Sequence, residues 1–157
     1  MNIPGGEFFE IHPAGDVVIP DNGGNPFELV IQSTEAYNAN SGYTQFDLLD
    51  SSYRRVFHIS LRGNRFVLNT SLNGYQWDEE EVHYFSTFLG NNYSFSEFTI
   101  RSTQDSYYIL FGEHRGIEFK KRSGYTDPVL VVAYSHSYSI SGFPDSLRIK
   151  YIRSSDC

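Results

Sequence analysis

Residues 57–81, FHISLRGNRFVLNTSLNGYQWDEEE, bring together His58, Arg62, Asn69, Trp77 and the acids Asp78, Glu79, Glu80 and Glu81. An imidazole, a guanidinium and a carboxamide supply hydrogen-bond donors and acceptors of fixed geometry, and the carboxylates supply further acceptors. An indole adds a flat apolar face. That set suits a sugar, whose C–H face stacks on an aromatic ring while its hydroxyls demand paired donors and acceptors. The acids also raise hydrolysis, which needs two carboxylates roughly 5 to 9.5 Å apart across a cleft. Four consecutive acids alternate faces on a strand, however, and 54–69 offers no acid to oppose them.

The elements that must position these groups read as strands. Over 56–62 the alternation puts Phe57, Ile59 and Leu61 on one face and His58, Ser60 and Arg62 on the other. Over 65–69, Phe66 and Leu68 share a face, leaving Arg65, Val67 and Asn69 opposite. A two-residue turn at Gly63-Asn64 pairs 62 with 65, 60 with 67 and 58 with 69. His58 then faces Asn69, with Arg62 along the same side. The like-charged Arg62–Arg65 pair argues for a wider turn, which keeps the parity if the loop grows by an even number. A polar row on an antiparallel sheet is also what a solvated face looks like. Trp77 poses a separate question. A two-residue turn at Asn73-Gly74 pairs it with Thr70, on the face away from Asn69, whereas a wider or bulged loop brings it to the polar face. Its polar flanks, NGYQ and DEEE, point to an exposed indole that contributes little to the core.

The rest of the chain fits this reading. At 157 residues it is long enough for one domain with a real core, expected to span 1–157. Twelve Tyr and thirteen Phe with only twelve Lys and Arg favour β structure over helix. Short apolar or alternating runs lie at 6–11, 16–19, 27–33, 43–50, 54–62, 65–71, 81–88, 95–103, 106–112, 115–121, 129–139 and 146–152, separated by Gly- and Asn-rich turns. A dozen such strands predict an all-β antiparallel two-sheet sandwich.

Composition removes other function classes. A net charge of −7 argues against a nucleic-acid partner. No apolar run approaches the ~18 residues of a membrane span. The single cysteine, Cys157, excludes an internal disulfide. The N-terminal MNIPGGEFFEIHP has neither a basic region nor a long apolar core, so synthesis in the cytoplasm without a signal peptide is expected. The Asn69-Thr-Ser and Asn92-Tyr-Ser acceptor patterns would then stay unmodified. His12, His58, His83, His114 and His136 lack metal-ligand spacing, so no metal and no cofactor is expected. GEHRG at 112–116 is a charged turn rather than a phosphate loop, and FKKR at 119–122 reads as a solvated strand end.

The series His58-Ile59-Ser60-Leu61-Arg62, then Val67-Leu68-Asn69, then Trp77 and Glu80, resembles the carbohydrate signature of galectins. With Ser60 where animal members usually carry Asn, it is similar to fungal galectins. The likeness is closest over 55–81. It implies a jelly-roll sandwich of the galectin or concanavalin A-like kind, and a non-enzymatic lectin whose partners are glycans. By position, His58 and Arg62 would hold the axial hydroxyl of a galactose-type ring. Asn69 and Glu80 would hold its hydroxymethyl group, Trp77 would stack on its apolar face, and Ser60 would add a hydroxyl. Glu80 would brace Arg62. The family's second Arg, two residues after the Glu, is replaced by Val82, which makes the neighbouring subsite more apolar and favours N-acetylated β-linked oligosaccharides over lactose. His83 should point elsewhere on a regular strand. Family habit implies a homo-oligomer and export by a non-classical route to the cell exterior or wall. The rival reading is a galectin-related interaction protein with weakened or lost sugar binding.

Overall fold

The computed structural model describes residues 6–11, 15–18, 26–33, 36–37, 43–91, 93–111, 116–135 and 147–153. Among these the alternating runs form twelve strands: β1 (Phe8–Ile11), β2 (Gly15–Val18), β3 (Phe27–Ser33), β4 (Tyr43–Leu49), β5 (Arg55–Arg62), β6 (Arg65–Ser71), β7 (Glu81–Tyr84), β8 (Glu97–Ser102), β9 (Ser106–Leu110), β10 (Ile117–Lys120), β11 (Leu130–Ser135) and β12 (Leu147–Arg153). They make two antiparallel six-stranded sheets, ordered β1-β12-β3-β8-β9-β10 and β2-β11-β4-β5-β6-β7. Every expected strand has its counterpart. The turn chemistry at 20–25, 38–42, 112 and 142 lies outside the described residues.

One expected boundary is corrected. The run 81–88 is strand only to Tyr84; Phe85–Leu89 coils into α1, a single helical turn. The cause is Phe85, which turns fully inward and packs against Phe66, Tyr93, Phe95 and Phe111 between the sheets. Gly90, at φ 84°, ends the turn in a conformation that costs glycine little.

The core fills the space between the two inner faces. Phe57 stacks on Tyr107 at 4.6 Å and Phe46 meets Phe98 edge-on at 5.3 Å, so aromatic contacts cross from one sheet to the other. Phe57, Ile59, Leu61, Phe66 and Leu68 are all fully buried, as their parity requires. With that set committed to the core, the alternate residues of β5 and β6 must face outward. No helix among the described residues is long and apolar enough to cross a membrane.

Candidate functional site

The β5–β6 turn is the tight one. Gly63 takes φ 60°, and Arg62 pairs with Arg65, Ser60 with Val67 and His58 with Asn69. The two arginines are tolerated because Arg62 leans away: its Nε donates to Ser60 Oγ at 2.9 Å, and its Nη1 lies 3.8 Å from Glu80 Oε1. Tyr37 donates its hydroxyl to Gly63 O at 2.9 Å, tying the turn to the body of the sandwich.

Register with the flanking strands sets three outward rows. The first is Asp47–His58–Asn69, the second Gln45–Ser60–Val67–Val82, and the third Arg62–Arg65–Tyr84. Glu80 lies immediately before β7. His83, of opposite parity to Val82, stacks on Phe66 at 5.3 Å with Nε2 unpartnered. Burial, partly offset by the nearby Glu81, pushes its imidazole below the usual range.

Trp77 reaches the polar side by the wider loop. It bridges to Ser71, not Thr70, so five residues, 72–76, close the turn. Side chains dictate that length. Ser71 Oγ donates to Gln76 O at 2.7 Å and accepts from Gly74 N at 2.8 Å, while Asn73 Oδ1 accepts from Tyr75 N and Gln76 N. Gly74 sits at φ 81°, and a Cβ there would come within 2.6 Å of the Arg55 guanidinium. The indole then lies against His58, with ring centroids 4.3 Å apart and planes at 45°. It is 41% exposed, as its polar flanks suggest, while part of it rests on His58.

His58 is correspondingly only 3% exposed. Its Nδ1 bonds the Asp47 carboxylate at 2.5 Å, and Arg55 Nε lies 3.7 Å from the same carboxylate. Ser60 is fully buried beneath Arg62, and Asn69 is 2% exposed. Asn69 donates from Nδ2 to Asp78 O at 2.9 Å, and its Oδ1 accepts from Thr70 N and from Arg122 Nη1. The strand-borne groups are therefore pinned in place, with Arg62, Trp77, Glu80 and Val82 forming the accessible part.

Two functional neighbours went unread in the sequence. Asp47, on β4, orients His58; the alternation of Gln45 and Asp47 with Phe46 and Leu48 was its signal. Arg122, in the β10–β11 loop, reaches Asn69, Thr70 and the Glu79 carbonyl, and no local pattern marks it. FKKR is thus not a solvated strand end. Phe119 is core, Lys121 bonds Ser102 Oγ at 3.0 Å over the Tyr107 ring, and Arg122 joins the site. Asp78 accepts from Thr70 at 2.6 Å and from the Tyr125 hydroxyl. Those two hydrogen bonds, with help from the Arg122 charge, outweigh a smaller opposing effect of desolvation and hold its carboxyl below the usual range. Among the described residues no group of three or more His, Cys, Asp or Glu side chains could hold a metal ion.

The described strands thus form two antiparallel sheets, one of which carries a braced polar face beside an indole. The family model for galactoside-binding lectins matches residues 22–141. Solved structures agree on the fold. Sheep galectin-11 aligns with TM-score 0.59 at 12% identity, covering 96% of this chain and 99% of that one. A tetrameric galectin from the ball sponge Cinachyrella sp. aligns at 0.56 and 15%, covering 94% and 99%. A reconstructed ancestral congerin aligns at 0.56 and 17%, covering 91% and 98%. No curated protein matches by sequence. The chain belongs to the galactoside-binding lectin family, the galectins.

Proposed function

We infer that the protein binds β-galactosides or N-acetylated β-linked oligosaccharides, as a lectin and not as an enzyme, through His58, Ser60, Arg62, Asn69, Trp77 and Glu80. The observation that carries this reading is the register that sets His58 opposite Asn69 while the five-residue loop brings Trp77 against His58. In this reading Arg62 and Glu80 meet the sugar's hydroxyls and Trp77 stacks on its C–H face. Ser60 contributes by holding Arg62, since its hydroxyl accepts from Arg62 Nε.

Val82 directs specificity. It is 43% exposed and paired with the buried Val67, so the second subsite meets methyl groups. An acetamido methyl buried there gains ~0.8 kcal/mol. A bare hydroxyl facing those methyls costs about 1–3 kcal/mol if left unpaired. N-acetyllactosamine, chitin fragments and GalNAc-containing pairs are therefore expected to bind more tightly than lactose. Calorimetry on the intact protein with these ligands is the test: equal affinity for lactose and N-acetyllactosamine sinks the Val82 argument.

A second reading is favoured by one feature. The indole covers His58, which leaves that imidazole almost no exposed surface. A galectin-related interaction protein with lost sugar binding would look like this. Absence of binding across a broad glycan panel would establish that reading in place of the first. The reading as a lectin extends, on the family resemblance, to one recognition domain over 1–157, a fungal source from the Ser60 form, and a homo-oligomer presenting several sites. It also extends to cytoplasmic synthesis followed by non-classical export. Sedimentation of the purified protein tests the oligomer: a monomer at micromolar concentration overturns it.

A further inference from the structure

Asn69 and the loop bearing Trp77 and Glu80 are held from outside by one side chain, 53 residues further along from Asn69. Arg122 Nη1 donates to Asn69 Oδ1 and to Thr70 Oγ1, both at 2.9 Å, and its Nη2 donates to Glu79 O at 2.5 Å. The guanidinium lies over the ring of the core residue Phe119, 4.9 Å from its centroid. From the same β10–β11 loop Tyr125 donates to the Asp78 carboxylate, which also takes the Thr70 hydroxyl.

A guanidinium has donors only, so the Asn69 atom facing it must be the oxygen. The Thr70 N–H on that same oxygen makes the assignment twice over. The carboxamide nitrogen then has two N–H groups, of which one goes to Asp78 O. The other is a further donor of the same amide. Rotating the amide by half a turn would set its N–H groups against Arg122 and Thr70 N–H, donor against donor. The same fork grips the Glu79 carbonyl, and Asp78 and Glu79 are the two residues separating Trp77 from Glu80.

We propose that Arg122, with Tyr125 as its second, is a positioning residue for the sugar face. It fixes Asn69 as a donor and sets the loop that presents Trp77 and Glu80. The functional consequence rests on the lectin reading above; the positioning itself does not. Arg122 also borders a cavity of about 480 Å³ lined by Val56, Gln104, Asp105, Tyr107 and Lys121. Truncating it enlarges an existing space and does not open a new void in the core.

The experiment compares wild type with Arg122→Ala, Arg122→Lys and Tyr125→Phe. Nuclear magnetic resonance of the sugar-free protein reads the Asn69 carboxamide and Trp77 indole N–H signals. Calorimetry reads galactose against 6-deoxygalactose, which lacks only the hydroxyl assigned to Asn69 and Glu80. In Arg122→Ala both sets of signals should shift or broaden while core amides hold. Galactose affinity should fall about tenfold, and the preference for galactose over 6-deoxygalactose should shrink towards parity. Arg122→Lys, which keeps one donor to Asn69 but not the fork, should recover part of that preference. Tyr125→Phe, a single lost hydroxyl, should move the Trp77 signal and leave Asn69 nearly unchanged. Unmoved Asn69 and Trp77 signals in Arg122→Ala overturn the proposal. Signals that move in a protein binding no galactoside at all support the positioning and sink the lectin reading instead.

Discussion

Replacing Trp77 with alanine separates a platform from a lid. The indole is 41% exposed, and its covered part rests on His58 at 4.3 Å between centroids. A tryptophan offers up to roughly 250 Å² of surface. Covering somewhat more than half, less what alanine retains, leaves about 100 Å² of lost burial, or about 2.5 kcal/mol at ~25 cal/mol/Å². Because the unfolded chain is itself partly collapsed, the cost should settle nearer 1–2 kcal/mol. For a domain of this size that lowers Tm by roughly 2–8 °C. The sequence alone suggested almost no loss, on the premise of an indole free of packing. Binding should suffer more than stability. Loss of the stacking face should weaken N-acetyllactosamine at least tenfold by calorimetry, with Trp77→Phe intermediate because a smaller ring remains. Binding of Trp77→Ala within threefold of wild type refutes the platform. A gain in affinity would make the indole a lid that must swing away before sugar reaches His58.

Three further outcomes are expected. Val82→Arg should restore charged donors beside Glu80 and shift preference towards lactose by about tenfold, since a hydrogen bond to a charged group is worth about 1.5–3 kcal/mol; an unchanged ratio of lactose to N-acetyllactosamine affinity in calorimetry counts against it. Asp78 has its folded-state pKa lowered, so its stabilisation is present above the unfolded value of about 3.9 and is lost as pH falls through the folded value. Asp78→Asn should therefore lower Tm at pH 7 and flatten the Tm–pH curve below about pH 4, measured by thermal denaturation across pH. Gly74→Ala combines a left-handed φ of 81° with a Cβ 2.6 Å from Arg55 Nη1. It should cost about 1–2 kcal/mol, read by denaturant unfolding, and disturb the Trp77 loop.

Most of the sandwich was legible because core parity is a local property. Phe57, Ile59 and Leu61 can be buried together in only one register, and Gly63-Asn64 then sets the partner strand. What escaped depended on side chains that write their own geometry. The five-residue loop before Trp77 follows from Ser71 and Asn73 bonding backbone groups, which a rule based on Asn-Gly alone does not contain. Asp47 escaped because the β4–β5 register is offset by an irregularity at Leu48/Leu49, beside Tyr53 at φ 61°. The turn at Phe85–Leu89 was missed because only the assembled core makes burying Phe85 worth abandoning the strand. Arg122 lies in a distant loop, and nothing nearby in the chain hints at Asn69.

Two of these escapes, the five-residue loop and Arg122, bear on the same segment, Trp77 to Glu80. The site's strand-borne members, His58, Ser60, Arg62 and Asn69, follow from register on β5 and β6, which are interior strands of their sheet. Trp77 and Glu80 are loop-borne and owe their place to Thr70, Asp78, Arg122 and Tyr125. Polar recognition needs donors held to fractions of an ångström, which a buried strand supplies. Stacking tolerates sliding, because a ring face is uniform across its width. In the lectin reading, His58, Ser60, Arg62 and Asn69 lie on β5 and β6, while the stacking group and one polar group, Glu80, lie on the loop. Asn69 is where the two halves meet, since its carboxamide bonds the loop at Asp78 O and the clamp at Arg122. That amide is one of several ties between loop and strand face, beside Thr70 to Asp78, Trp77 against His58 and Glu80 near Arg62.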